Sequence, residues 1–521
     1  MQRNRNNAFL KGTISLSLSV IITKVMGVAF KVPLSYVLGD EGMGYFNTAY
    51  AIYGFFYILC TAGVPKSLTL VLSEHRLKSN GNVSDECVLR CGLKLFLLIG
   101  GFTTLLNIIC APAIAGFIGN KKALLSIIAV APSILFVSMS GVIRGYMNSR
   151  EKLTVIAVSQ LIEAGVKLFF GLMLSMLGVK CNMSIHMISA LGILGITVGS
   201  IISFVYLNIL SKKPKTGNKR RQNSDFNATE TRNKIIKNAL PIALSSSLLN
   251  LSSTIDLAII IRRLVGAGMS EGYANSIYGN YTTLAVPMFN LVISVLAPIA
   301  TSYMPRLSQM NLSGKREEFV FNLNRLLWIT LIISTPASLA FYFYSFDLLD
   351  VLFSTQSSAI GAEMLMLLSL GVCLLSALTV INTALESQGK IAATVISLLL
   401  GCAVKLCASY LLIGRGSVGI LGAPLGTVIS YVVSLMVSLI ILGGSRVKTF
   451  TFPKIVFLYS IGLVCFYPFY KMIYCSMLFR SSFISMSFSI GISFLMYFAL
   501  LGVVYFIFKH SRVFKMHKNC Y

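Results

Sequence analysis

The sequence predicts an all-α polytopic membrane protein of about 14 transmembrane helices, arranged as two six-helix lobes related by an internal repeat plus two extra C-terminal helices. Three observations carry this prediction. Of the 521 residues, 55% are hydrophobic and 12% charged, and the mean hydropathy is +0.79, so lipid rather than water must solvate most of the chain. Apolar stretches of the roughly 20 residues that crossing hydrocarbon requires recur from end to end. Val142-Ile143-Arg144-Gly145 to Lys152, then Ala164-Gly165-Val166-Lys167-Leu168, recurs as Val380-Ile381-Asn382-Thr383 to Lys390, then Cys402-Ala403-Val404-Lys405-Leu406, with the two lysines equally far apart in both copies.

Because lipid cannot satisfy open backbone, every span is expected to be a helix. Residues 1–210 form the N-terminal lobe, with spans Gly12 to Leu38, Tyr45 to Leu72, Leu89 to Ile114, Ala123 to Met147, Thr154 to Leu177 and Ile188 to Leu210. Its basic start (Arg3, Arg5, Lys11) leads into a span too long for a signal-peptide core and interrupted by Lys24 and Lys31, so this helix is expected to be retained. A polar linker, residues 211–234, carries Lys212, Lys213, Lys215, Lys219, Arg220 and Arg221. The C-terminal lobe, residues 235–443, holds Ile235 to Ile261, Ile277 to Ser302, Leu323 to Tyr344, Ala359 to Leu385, Ile391 to Ile413 and Val418 to Leu442. Residues 444–521 hold the unrepeated pair, Ile455 to Tyr474 and Phe483 to Phe508, and a basic tail.

The repeat extends to Leu194-Gly195-Ile196-Thr197-Val198-Gly199-Ser200-Ile201-Ile202-Ser203, which resembles Leu421-Gly422-Ala423-Pro424-Leu425-Gly426-Thr427-Val428-Ile429-Ser430. An even number of spans per copy means that both copies enter from the same face, which relates them by an axis along the membrane normal and places substrate between them. Prolines inside spans, including Pro33, Pro65, Pro132, Pro287, Pro298 and Pro336, permit kinks at a cavity or hinge.

The net charge of +27 would suit nucleic acid if it formed one patch, but the basic residues alternate by side. With the N-terminus in the cytoplasm, roughly thirty Lys and Arg fall on that face and about seven on the other, as the positive-inside rule expects. Both termini are therefore predicted cytoplasmic, with no nucleic-acid partner. The linker cluster reads as a topology determinant or as a contact for anionic membrane lipids. None of His75, His186, His510 and His517 has ligand spacing to another histidine or cysteine, and no glycine loop precedes a lysine and a hydroxyl residue. Neither an enzyme nor a cofactor is expected, and energy must come from ion, voltage or substrate gradients. The cysteines sit mostly within apolar spans and read as small buried apolar residues.

A charge inside a span is costly in lipid and should face a cavity or a partner. Lys24 and Lys31, seven residues apart, fall on nearly one face of the first helix, and Lys66 follows Pro65 in the second; together they predict a cationic pocket, with snorkelling of Lys31 to the interface as the alternative. Lys167 has Glu163 one turn earlier, which leaves a structural ion pair and a transport role equally open. Lys405 has Gly401 in the matching place and is expected to face a water-filled cavity or an anionic ligand. Asp256, in the middle of the seventh span, and Asn382 are candidates for binding a coupling cation or proton, against pairing of Asp256 with a lysine of the other half. Glu386 shares a helix face with Asn382.

The stretch Thr23-Lys24-Val25-Met26-Gly27, Lys31-Val32-Pro33-Leu34, Leu38-Gly39-Asp40-Glu41-Gly42-Met43-Gly44, Ala49-Tyr50-Ala51-Ile52-Tyr53 and Thr61-Ala62-Gly63-Val64-Pro65 resembles the stage V sporulation protein B family of polysaccharide exporters. That family lies within the multidrug/oligosaccharidyl-lipid/polysaccharide flippase superfamily. The resemblance implies a V-shaped pair of six-helix lobes around a central cavity, with Ile455 to Phe508 forming a groove for a lipid tail. It also implies basic cavity residues on the first two helices, which Lys24, Lys31 and Lys66 match; lysine in place of arginine argues against bidentate phosphate binding. A lysine-lined cavity suits a pyrophosphate better than a cationic drug. The expectation is a flippase that moves an undecaprenyl-pyrophosphate-linked saccharide, such as lipid II, a spore-cortex or a polysaccharide precursor, to the outer leaflet of the plasma membrane by alternating access, with Na+ or H+ as coupling ion. A cation-coupled multidrug exporter is the first alternative and a noncatalytic membrane scaffold the second.

Overall fold

The computed structural model describes residues 2–61, 63–65, 67–69, 71–72, 85–150, 152–211, 228–353, 358–413, 419–444, 451–476 and 482–510, and every regular element among them is helical. Among the described residues, 12 helices are long and apolar enough to cross a membrane, fewer than the expected 14. Those 12 include Leu18–Leu59 as one segment, although it holds parts of the first two expected spans, and they do not include the helix carrying the expected seventh. Lys66, the basic cluster from Lys212 to Arg221 and the tail after His510 lie outside the described residues.

The chain divides into two compact units, Met1–Gly279 and Asn280–Tyr521. In the first, α1 (Gln2–Thr61) is two spans joined at Gly39, whose φ of 62° lies in the left-handed region that glycine enters without a Cβ penalty. The chain reverses there without a loop: Phe30 and Phe46 bring their ring centroids to 5.8 Å across the bend. There follow α2 (Asp85–Ile118), α3 (Leu124–Ser149), α4 (Leu153–Lys180), α5 (Ile185–Ser211), α6 (Ala228–Gly266) and α7 (Glu271–Asn280). The sequence repeat is expected to divide at 211–234, whereas the first compact unit runs on through α6, which packs on α1 and α2.

The second unit opens with a π-helical turn, Tyr281–Ala285, which runs into α8 (Val286–Leu312). It continues through α9 (Arg316–Phe343), α10 (Ser345–Phe353), α11 (Ser358–Ser387), α12 (Ile391–Leu412) and α13 (Gly422–Gly444). The last two helices are α14 (Thr451–Ser476), packed on α9, and α15 (Ser482–His510), packed on α14 and α10.

The duplication is visible in the packing. α2 on α3, α3 on α5 and α4 on α5 in the first unit correspond to α9 on α11, α11 on α13 and α12 on α13 in the second. The register corrects the sequence pairing. Ser203 Oγ donates to the Ser159 carbonyl at 3.0 Å, and Ser434 Oγ donates to the Ser397 carbonyl at 3.1 Å. Likewise a Cβ on Gly195 would meet Gly171 Cα at 2.6 Å and the Lys167 carbonyl at 2.8 Å, while one on Gly426 would meet Ser409 Oγ at 2.8 Å and the Lys405 carbonyl at 3.4 Å. Lys167 and Lys405 are therefore true equivalents, but Ser203 matches Ser434 rather than Ser430, a slip of one helical turn.

Lipid tails offer little hydrophobic drive between helices, so such close approaches of small residues hold the bundle. Around them lie buried clusters, one including Leu68, Val142, Ile143 and Tyr146 in the first unit, another Leu326, Leu331, Val380 and Ile381 in the second. Phe169 and Leu177 on α4, and Leu400 and Leu411 on α12, are exposed, as a lipid-facing surface requires. Cys373 and Cys465 are buried, whereas Cys407 is exposed.

Candidate functional site

The first unit brings two of the predicted lysines to one tyrosine. Lys31 Nζ donates to Asn47 Oδ1 at 3.3 Å across the Gly39 bend and lies 5.8 Å from the centroid of the Tyr50 ring. Lys167 reaches the same ring from α4, with Nζ 4.8 Å from the Tyr50 centroid and 5.3 Å from that of Phe30. Each ammonium gains about 0.5–2 kcal/mol from the negative ring face, more as water is excluded.

Tyr50 belongs to an aromatic run on the second half of α1. Its centroid is 6.1 Å from Phe46 and 6.0 Å from Tyr53, and Tyr53 is 5.5 Å from Tyr57. Spacings of three and four residues put these rings on one helix face. Tyr50, Tyr53 and Tyr57 line a cavity of about 500 Å³ together with Gln160, Glu163 and Lys167 of α4 and Arg144 of α3. That volume falls in the range of small-molecule sites.

Glu163 is not the partner of Lys167. Its Oε2 accepts from Arg144 Nη2 at 2.7 Å, and Arg144, itself 7% exposed, also donates from Nε to Ser159 Oγ and from Nη2 to Ser203 Oγ, both at 3.2 Å. A planar guanidinium reaches three acceptors on two helices at once, which a lysine head cannot do. The Glu163–Lys167 pair that the sequence left open is not formed among the described residues; the buried pair is Arg144–Glu163, which ties α3 to α4, and Lys167 is left to the aromatic rings. Arg144 and the three tyrosines were missed as site residues. A charge inside an apolar span, and tyrosines at 50, 53 and 57, were the available signals.

The other predicted residues are placed separately. Lys24 is exposed, and its neighbour Thr23 lines the cavity instead. Asp256, on α6, is 3% exposed. In the second unit, Asn382 is buried and its Oδ1 accepts from Ser438 Oγ at 2.9 Å, while Glu386 and Lys405 are half-buried.

Repeated helix bundles with a charged, aromatic cavity inside one of them are the build of a multi-pass membrane transporter or flippase. The chain belongs to the polysaccharide biosynthesis protein family, whose model matches residues 9–311. A second model, described as MatE, matches residues 281–411. Stage V sporulation protein B of Bacillus subtilis (strain 168) is 23% identical over 423 residues, covering 81% of this chain and 80% of that protein. Lipid II flippase MurJ of the same organism is 22% identical over 458 residues, covering 84% and 83%. A solved structure of lipid II flippase MurJ in an inward closed conformation shares the fold, with a TM-score of 0.74 at 16% identity over 95% of this chain and 100% of that one.

Proposed function

We propose that the chain is a flippase, not an enzyme, and that it moves an undecaprenyl-pyrophosphate-linked saccharide, lipid II or a related cell-wall, spore-cortex or polysaccharide precursor, from the inner to the outer leaflet of the plasma membrane by alternating access. The observation that carries this reading is the convergence of Lys31 and Lys167 on Tyr50 beside the cavity. Within the lining Arg144 compensates Glu163 and Lys167 remains in excess, so the site attracts a pyrophosphate and repels a cationic drug. Its relatives include a protein named as a lipid II flippase, which fits that chemistry.

In this reading Lys24, Lys66 and Lys405 add positive charge along the substrate path while the lipid tail stays in the bilayer. Asp256 in the first unit, and Asn382 with Glu386 in the second, are assigned to a coupling Na+ or H+. Both termini face the cytoplasm, and the basic linker at 211–234 contacts anionic lipids. The MatE match over residues 281–411 favours a second reading, a cation-coupled multidrug exporter.

The test is lipid II reaching the outer leaflet in bacteria depleted of their own flippases and expressing this chain. Export restored by the native chain and abolished by Lys31→Ala with Lys167→Ala supports the reading. Normal membrane insertion without export sinks lipid II as the substrate. Dye efflux that survives the double substitution supports the exporter.

A further inference from the structure

The cavity has two unlike walls, and only Lys167 addresses a phosphate. Along α1 run Tyr50, Tyr53 and Tyr57; along α4 run Gln160, Glu163 and Lys167, again at helical spacing. We infer that this cavity is a pyranose-binding subsite: one sugar ring of the transported headgroup lies against Tyr57, and its neighbouring hydroxyls are read by Gln160 and Glu163, with the adjacent phosphate at Lys167. The inference rests on the pyrophosphate reading above and adds to it the sugar contacts.

The polar wall is prepared for hydroxyl groups. Gln160 Oε1 already accepts from Ser19 Oγ at 3.3 Å, which leaves the Gln160 amide N–H groups as donors. Arg144 takes Glu163 Oε2, and among the described residues no hydrogen bond is made to Oε1, which remains an acceptor. A donor and an acceptor one turn apart on α4 match a vicinal diol, because each hydroxyl both donates and accepts. Arg144 itself is a positioning residue: its bonds to Ser159 and Ser203 hold Glu163 in place from two helices.

The aromatic wall selects the same ligand. Tyrosine faces carry negative charge density, and a pyranose face presents a patch of C–H bonds polarised positive at hydrogen. A flat organic cation would also stack there, but Lys167, 4.8 Å from the Tyr50 centroid, opposes it. An aliphatic chain would desolvate the Gln160 amide N–H groups and Glu163 Oε1 without offering them a partner. A neutral, hydroxyl-rich ring linked to an anion satisfies both walls.

The test uses the purified full-length protein in detergent and two probes, farnesyl diphosphate and the same compound carrying an N-acetylhexosamine on its terminal phosphate. Calorimetric titration is expected to show the sugar-bearing probe binding about tenfold more tightly, the gain of one donor–acceptor pair and one stacked face. In Gln160→Ala and in Tyr57→Leu that ratio falls to about one, whereas Tyr57→Phe keeps it. Lys167→Ala weakens both probes and preserves the ratio. A native ratio of one, or a ratio that survives both Gln160→Ala and Tyr57→Leu, overturns the sugar subsite while leaving the pyrophosphate reading standing. Failure of farnesyl diphosphate to bind the native chain at all overturns the underlying reading instead. Should Tyr57→Leu fail to fold, as seen by size-exclusion chromatography, the half-buried Gln160→Ala decides.

Discussion

Arg144 Nη2 and Glu163 Oε2 meet at 2.7 Å between α3 and α4, and this pair determines what Lys167, one turn beyond Glu163, is free to do. Both side chains are largely shielded, at 9% and 19% exposure. Truncating one partner of such a pair leaves an uncompensated charge. Arg144→Met is therefore expected to destabilise the protein by about 3–5 kcal/mol, and adding Glu163→Gln to recover part of that loss. Thermal unfolding in detergent measures both. A single variant as stable as the native protein would mean that the pair contributes nothing to folding.

Tyr50 serves two cations at once, so its loss should exceed that of an ordinary cation–π contact. Tyr50→Leu is expected to weaken farnesyl diphosphate binding about tenfold, since both Lys31 and Lys167 lose the surface that fixes their heads. Tyr50→Phe retains most of the affinity because the ring face remains. Equal losses in the two variants would place the hydroxyl, rather than the ring, in charge.

Three glycines should rank by what surrounds them. Gly195→Ala forces Cβ onto Gly171 backbone at 2.6 Å and is expected to cost about 1–3 kcal/mol or prevent assembly of the unit. Gly426→Ala meets Ser409 Oγ at 2.8 Å, a hydroxyl that can rotate aside, and should cost less. Gly101→Ala, with nothing within 4 Å, should be neutral or stabilising by up to ~1 kcal/mol through helix propensity. Melting temperatures in detergent test the order, and a Gly195 variant no worse than the Gly101 variant would contradict the packing.

The chain has one tryptophan, Trp328 on α9, and α14 docks against it. Lys454 Nζ lies 5.7 Å from its ring centroid and donates to Asn324 Oδ1, and Phe457 approaches it edge-on with centroids 6.3 Å apart. Lys454→Met is expected to shift the intrinsic emission, while Lys180→Met, exposed on α4 of the other unit, leaves it in place. Identical spectra from the two variants would show that α14 does not hold this position.

The architecture was legible because its causes are local in sequence: membrane-length apolar runs, the lysine repeat and the unrepeated last pair. The break between the first two spans was legible only as a short polar stretch, since nothing in the letters required Gly39 to make the bend alone. The site was half legible. Lys31 and Lys167 were chosen for their burial cost, which holds whatever surrounds them, but their meeting at Tyr50 depends on how α1 folds over α4. An i,i+4 contact of Glu163 with Lys167 is visible in sequence as one of two open readings, whereas Arg144 reaches Glu163 from another helix and is not. Lys66 lies outside the described residues, and its place in the pocket stays with the proposal.

The one-turn slip between the duplicated halves governs how knowledge can be carried from one to the other. A chimera that grafts α13 into the place of α5 must be cut so that Ser434 replaces Ser203 and Gly426 replaces Gly195, although the letters align four positions differently. Spliced by spelling, the graft would put Ser430 in place of Ser203 and move Ser434 one turn further along, away from the serine carbonyl on the facing helix. After duplication, then, helix α4 and its copy kept their mutual correspondence while the partner strip slid past by one step, and ancestry and contact no longer name the same counterpart.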